Sequence, residues 1–344
     1  MGKRTGHLYE KLFDEKQILQ AIEETCLHKG NRRIVQKIKA DPNGFAKRIK
    51  ALLTEGFLPS EAKRFQRQDP GTGKIRDICS VPLYPDQIIH RLAVNVMKET
   101  ITKGMDPFCV GCVPGRGCNA GKKAVFKWVR KGRNGRRMWI LKFDIRHFYA
   151  SIDREKLFIL LEKKIKDKRF LAFLWNITSI EPKGLAIGVY SSPWLGNFYL
   201  QAVDHQIKQD LKIKDFTRNV DDFVLMDTNR RKLRKALTVL ESSLAALGLT
   251  IKPDWRIYPI DQGDVDYVGF RVHKGGKVTI RKRNWKKLRR DCLVAMHHPL
   301  SQKRARSLLS RMGMAKNSDS RKIFAKYLTK AVLDKAKSKA KGDE

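Results

Sequence analysis

Apolar residues recur at helical spacing through the first hundred positions. Leu12, Ile18, Leu19 and Ile22 lie on one stripe of a helix expected over Tyr9–Cys26. A second helical stretch breaks at Asp41-Pro42 and resumes from Phe45 to Leu53. After the turn Pro70-Gly-Thr-Gly73, the run Lys74–Leu83 reads as a strand, and Asp86–Thr102 reads as a helix again. The middle of the chain changes period. Met138–Phe143 is a compact apolar strand ending at Asp144, and a helix follows from near Asp153. Tyr190–Lys212 reads as one long helix, and Asp215–Met226 as two short strands around a turn carrying Asp221-Asp222. Asn229–Leu247 is helical and stops at Gly248. Trp255–Ile280 is a run of strands with Gly275-Gly276 as a hairpin turn, and everything after Arg281 is helical.

Charge narrows the partner. The 344 residues carry 73 Lys and Arg against 35 Asp and Glu, a formal net charge of +38. Such a chain repels itself unless a polyanion neutralises it, and nucleic acid is the usual one. Residues 281–344 alone hold 20 basic side chains against 5 acidic ones. This fits a grip on a phosphate backbone, with Arg283, Lys286, Lys287 and Arg290 as candidate contacts at its start. Lys122–Arg137 holds eight basic residues and no acid, among them Lys122, Lys123 and Lys127, interleaved with Phe126 and Trp128. Those two aromatics suit stacking on RNA bases or anchorage in the core, and both readings stand. No apolar run reaches the length of a membrane span, and a cytoplasmic protein with reduced thiols is expected. Cys109, Cys112 and Cys118 suggest zinc, but no fourth Cys or His lies at finger-like spacing, so buried apolar thiols are expected instead.

One aspartate ends an apolar strand, and two more sit in a strand–turn–strand further on. Nucleotidyl transfer by two metal ions needs carboxylates at the mouths of neighbouring strands, because Mg²⁺ prefers hard oxygen ligands. Asp144, Asp221 and Asp222 are therefore the candidate catalytic and metal-binding residues. The bland alternative is a helix cap and an ordinary turn.

The surroundings favour the first reading. Phe143-Asp-Ile-Arg-His-Phe-Tyr-Ala-Ser-Ile-Asp153 resembles the first catalytic motif of bacterial reverse transcriptases, and Asn219-Val-Asp-Asp-Phe223 resembles their Tyr-x-Asp-Asp box. Four further stretches resemble family motifs in family order: Lys74-Ile-Arg76 with Pro82, Val113-Pro-Gly-Arg-Gly117, Gly184–Gly188 followed by Ser192-Pro193 and Asn197, and Tyr267-Val-Gly-Phe270. The chain is most similar to the reverse transcriptases of diversity-generating retroelements and to related defence-associated enzymes.

This resemblance implies an α+β right-hand polymerase. Fingers would lie within residues 1–136, a ferredoxin-like palm with an antiparallel sheet and helices on one face within 137–280, and a helical thumb and tail within 281–344. It implies RNA-directed DNA synthesis with two Mg²⁺ ions, or Mn²⁺, bound by the three aspartates and the backbone carbonyl of Ile145. Lys74 and Arg76 would meet the triphosphate, Arg116 the template or triphosphate, and Tyr149 would exclude a ribose 2′-hydroxyl. Ile187 would face the templating pair, while Tyr267 and Gly269 would grip the primer. The implied partners are a structured template or non-coding RNA, a DNA primer and product, deoxynucleotides, and an accessory protein or second polymerase subunit. Ile187 in place of the usual Gln points to diversification; Pro193 and Asn219 depart from that group and point to defence. The family's pyrophosphate-protonating Lys falls here on Trp255, flanked by Lys252 and Arg256, and that role is left unassigned. A non-catalytic RNA-binding protein on a degenerate polymerase fold is the rival reading.

Overall fold

The structure, a computed structural model, describes residues 4–68, 73, 75–131 and 137–341. An N-terminal helical layer opens with α1 (Glu15–Cys26), α2 (Arg33–Ala40) and α3 (Pro42–Thr54). Asp14 caps α1 through the Lys16 amide, and Asp41 caps α3 through the Gly44 amide with Pro42 in its first turn. The break at Asp41-Pro42 is thus a cap followed by a preorganised start, and the chain turns there. A hairpin of β1 (Lys63–Gln68) and β2 (Ile75–Ser80) follows, then α4 (Ile88–Thr102), whose buried face packs on α1. Strand β1 is a gain over the sequence reading: its Lys-Arg-Phe-Gln-Arg-Gln is solvated on both faces and has no apolar alternation to betray it.

The centre is a four-stranded antiparallel sheet in the order β4-β5-β3-β6. Helix α5 (Cys118–Lys131) precedes β3 (Trp139–Asp144). Helices α6 (Phe148–Ser151), α7 (Arg154–Glu162), α8 (Lys168–Thr178), α9 (Ser192–Tyr199) and α10 (Gln201–His205) lead to β4 (Asp215–Asn219) and β5 (Asp222–Asp227). Helix α11 (Arg230–Ala246) returns the chain to β6 (Arg256–Pro259). Tyr190–Lys212 is therefore not one helix. Its backbone leaves helical values at Leu200 (φ −94°, ψ 1°), because almost every face of the segment is buried and packing overrides local propensity.

Alternation divides the sheet's side chains between two cores. Leu141, Phe143, Phe223 and Leu225 join the core beneath α11 and the N-terminal helices, with Phe143 and Phe223 stacked at 4.6 Å. Ile140, Val224 and Met226 join a second core. That core also holds α5, a small sheet of β7 (Val265–Tyr267), β8 (Phe270–Val272) and β9 (Val278–Ile280), and the basic helices α12 (Lys282–His297), α13 (Gln302–Lys316), α14 (Arg321–Tyr327) and α15 (Lys330–Lys341). The result is an α+β architecture of antiparallel sheets and helices. The C-terminal helices share their core with β7–β9 and α5. Among the described residues no helix is long and apolar enough to cross a membrane.

Candidate active site

Register decides where the carboxylates stand. Strands β3 and β5 pair with Asp144 opposite Asp222, so the two side chains lie beside each other on the face that also carries Lys142. Strands β4 and β5 form a hairpin closed by the pair Asn219–Asp222, leaving Val220-Asp221 as a two-residue loop. Val220 sits at φ +62°, a conformation that such hairpins usually give to glycine. The Ile145 amide donates to the Asp221 carbonyl at 3.1 Å, which draws the end of β3 and the Ile145 backbone against this turn.

Three acids in this space are costly without cations. Burial, aided by the charge of Asp144, pushes the Asp221 carboxyl above its ordinary range. Burial pushes Asp222 up to about 6, with Asp144 and Asp221 adding to the rise and Lys142 opposing it. Two lysines supply part of the compensation. Lys252 Nζ pairs with Asp144, and Lys142 Nζ stands 3.4 Å from Asp222 Oδ1. That buried Asp222 oxygen still makes no hydrogen bond among the described residues. Those residues hold no ready-made cage of three converging metal ligands, yet the donor chemistry fits a hard divalent cation. Hard oxygens, one of them buried and without a hydrogen bond, gather where β3 meets the β4–β5 turn.

The loop after Gly184 assembles the neighbouring surface. A Cβ at Gly184 (φ +71°) would come within 2.4 Å of the Tyr149 carbonyl oxygen, and the Leu185 amide donates to that same oxygen at 2.8 Å. Four residues on, a Cβ at Gly188 would lie 2.6 Å from the Cys79 carbonyl, while the Cys79 amide donates to the Ile187 carbonyl at 2.8 Å. The loop is thus stapled between α6 and β2. It brings Ile187, Tyr149 and the Arg76-bearing strand to one side of the carboxylates. The Arg76 charge is felt at both Tyr149 and Asp221. Lys74 lies outside the described residues.

Other expected contacts are placed differently. Arg116 Nη1 donates to the carbonyls of Asp106 (2.7 Å) and Cys109 (3.2 Å), so its guanidinium braces its own loop. Lys122 is a correction. It is buried, bonds the Asn317 carbonyl at the end of α13, and lies 4.9 Å from the Phe270 ring, where it ties α5 to the C-terminal helices and does not present itself to solvent. Lys123 and Lys127, on the outer face of α5, are exposed. Trp128 is a core anchor, edge-on to Phe108 at 5.2 Å. Tyr267 is also buried, with its hydroxyl 3.2 Å from Thr217 Oγ1 and its ring filling the space a Cβ at Gly121 would take. The turn Val268-Gly269 carries positive φ at both positions and packs on Met314 of α13. Arg283, Lys286 and Arg290 are exposed along α12, and Lys287 is half-buried. Cys109 is buried and donates to Asn197, whereas Cys112 and Cys118 are exposed, unlike the buried thiols expected for all three.

Sequence reasoning missed three groups. Lys252 reaches Asp144 because its own amide donates to the Asp144 carbonyl at 2.8 Å, while Trp255, at the position aligned with the family's Lys, is exposed beside α11. Lys142 was visible only as a charge inside the apolar strand β3, a signal that it needs a buried or catalytic partner, whereas Arg218 sits in the polar run Asp215-Phe-Thr-Arg-Asn219, which carries no such signal. Arg218 finds Asp204 and Asn197.

Residues 66–272, more than half of the chain, match the family model described as reverse transcriptase (RNA-dependent DNA polymerase). The chain is 32% identical over 170 residues to an uncharacterized 91 kDa protein in the cob intron of Schizosaccharomyces pombe, covering 46% of this chain and 20% of that one. It is 25% identical over 177 residues to the group II intron-encoded protein LtrA of Lactococcus lactis, covering 48% and 28% respectively. The match therefore spans less than a third of the length of these relatives. Telomerase from Candida albicans, solved with a TWJ fragment of telomeric RNA, matches in fold with a TM-score of 0.52 at 14% identity, over 83% of this chain and 55% of that one. By the extent of the family match, and with its carboxylates paired across β3 and β5, this chain belongs to the reverse transcriptase family.

Proposed function

We propose that this chain copies a dedicated structured RNA into DNA by nucleotidyl transfer at Asp144, Asp221 and Asp222. The observation that carries the reading is the register of Asp144 opposite Asp222, with Asp221 on the adjoining loop and a buried, unbonded oxygen on Asp222. The three carboxylates, with the Ile145 carbonyl, would hold two Mg²⁺ or Mn²⁺ ions. When bound, such ions lower the pKa of the primer hydroxyl and neutralise charge on the leaving pyrophosphate. The chain's own side chains supply the rest. Lys74 and Arg76 neutralise the triphosphate as fixed cations do in phosphoryl transfer. Tyr149 blocks the ribose 2′-position and so selects deoxynucleotides. Ile187 lies under the templating pair, Tyr267 and Gly269 support the primer end, and Lys142 and Lys252 offset the charge of Asp222 and Asp144 in the site. Lys123, Lys127, Arg283, Lys286, Lys287 and Arg290 hold RNA and duplex through phosphate contacts.

The setting we propose is a bacterial or phage retroelement or antiviral defence system, acting in the cytoplasm, with an accessory protein or second subunit as a further partner. The intron-encoded relatives favour the retroelement side. The test is purification without nuclease, sequencing of co-purifying RNA, and incubation with Mg²⁺ and labelled deoxynucleotides, beside an Asp221→Asn, Asp222→Asn control. DNA complementary to that RNA, absent from the control, supports the reading. No product on any RNA sinks it and leaves the non-catalytic alternative, with Asn219 the first residue to restore to Tyr.

A further inference from the structure

Beneath the catalytic turn lies a polar network that the chemistry above does not use. Arg218 is completely buried, the largest such side chain among the described residues, and all five of its N–H donors are engaged. Nε and Nη2 donate to Asp204 Oδ1 and Oδ2 at 2.8 and 2.5 Å. Nη1 donates to Asn197 Oδ1 at 3.0 Å and to the Val220 carbonyl at 2.9 Å, and Nη2 reaches the Asn197 carbonyl at 3.4 Å. Asn197 Nδ2 then donates to the Gly111 carbonyl at 2.7 Å, and a Cβ at Gly111 would lie 2.6 Å from the Val220 amide nitrogen. Asp204 and Asn197 are buried as fully as Arg218.

A buried ion pair is weak evidence of stability, because an apolar filler of the same volume often does as well. What an apolar filler could not supply is the bond to Val220. That β-branched residue is held at φ +62°, where its side chain resists the backbone, and Asp221 is the next residue along. From this geometry, and resting on the reading of Asp221 as a metal-binding carboxylate, we infer that Arg218 is a positioning residue. Braced by Asp204 and Asn197, it holds Val220 in its left-handed conformation and thereby aims Asp221. Lysine cannot replace it, since three donors on a flexible stem cannot span both the carboxylate and the turn.

The test compares Arg218→Lys and the paired replacement Arg218→Met with Asp204→Leu, each with and without Val220→Gly. Circular dichroism checks the fold. The readouts are kcat and KM for deoxynucleotide in primer extension, and Mn²⁺ affinity measured by calorimetry on the protein alone. Displacing the turn by about 1 Å should lower kcat by roughly 100-fold, with KM within about threefold of wild type and Mn²⁺ bound about tenfold more weakly. Glycine occupies positive φ freely, so Val220→Gly should recover at least about tenfold in kcat in either background. A general packing defect would gain nothing from it. Folded variants with wild-type kcat and Mn²⁺ affinity, or a loss that glycine leaves untouched, would overturn the inference. Should the wild-type protein bind Mn²⁺ yet make no DNA, the proposed polymerase activity fails, and the Mn²⁺ affinities alone decide the role of Arg218.

Discussion

Replacing Gly184 with Ala tests how the nucleotide side of the site is assembled. The new Cβ would stand 2.4 Å from the Tyr149 carbonyl oxygen and 2.7 Å from Ala150 Cα, where real Cβ atoms stay beyond 3.0 Å. Both neighbours are backbone, so the loop must retreat by about 0.6 Å, the difference between 3.0 and 2.4 Å. The retreat strains the Leu185–Tyr149 hydrogen bond, worth about 1 kcal/mol. Alanine at φ +71° adds about 1–2 kcal/mol of conformational cost. Gly56→Ala supplies the control, since Gly56 also has positive φ (+85°) but open space around its would-be Cβ. The control should lose only the conformational part, roughly 1–2 kcal/mol, while Gly184→Ala should lose about 2–3 kcal/mol. Denaturant midpoints separate the two. Because the same loop carries Ile187 and seats Tyr149, Gly184→Ala should also lower kcat/KM for deoxynucleotide by about tenfold, scaling from the hundredfold that a 1 Å misplacement costs. The control should leave that constant unchanged. If the two variants lose equal stability and equal activity, the stapled loop is not what positions the nucleotide.

Further expectations follow from particular side chains. Tyr149→Ala should admit ribonucleotides in single-nucleotide extension, and unchanged sugar selection removes Tyr149 from that role. Asp222 has its carboxyl raised to about 6 in the folded state, so the fold binds an extra proton below that pH, and stability falls as pH rises from about 4 through 6. Without metal, Asp222→Asn should therefore be more stable than wild type at pH 8, by about 1–3 kcal/mol, with the gain gone below about pH 4. Thermal melts in chelator at both pH values check this, and a variant less stable at pH 8 refutes it. Lys122→Ala should lower stability by about 1–3 kcal/mol, the loss expected when a buried hydrogen-bonded cation is removed. Lys123→Ala and Lys127→Ala should instead each reduce the salt slope of RNA binding by about 1. Equal behaviour of the three lysines would contradict the buried placement of Lys122.

The elements that depend on near neighbours in the chain were legible from the residues alone. The break at Asp41-Pro42, the helix start at Asn229, the stop at Gly248 and the hairpin at Gly275-Gly276 all act within a few positions, so their signals are local. The strand–aspartate and strand–turn–strand patterns likewise exposed Asp144, Asp221 and Asp222, because a carboxylate ending an apolar strand is conspicuous. Tertiary structure decided the rest. Nothing local pairs Asp144 with Asp222, brings Lys252 back to Asp144 across 108 residues, or turns Lys122 inward to the Asn317 carbonyl. A lysine reads the same whether it will face a phosphate, a carboxylate or a buried carbonyl. Arg218 and Asp204 are the plainest case: each looks like a surface charge in its own segment, and only the packing of α9 and α10 under β4 takes water from both and gives each the other as partner.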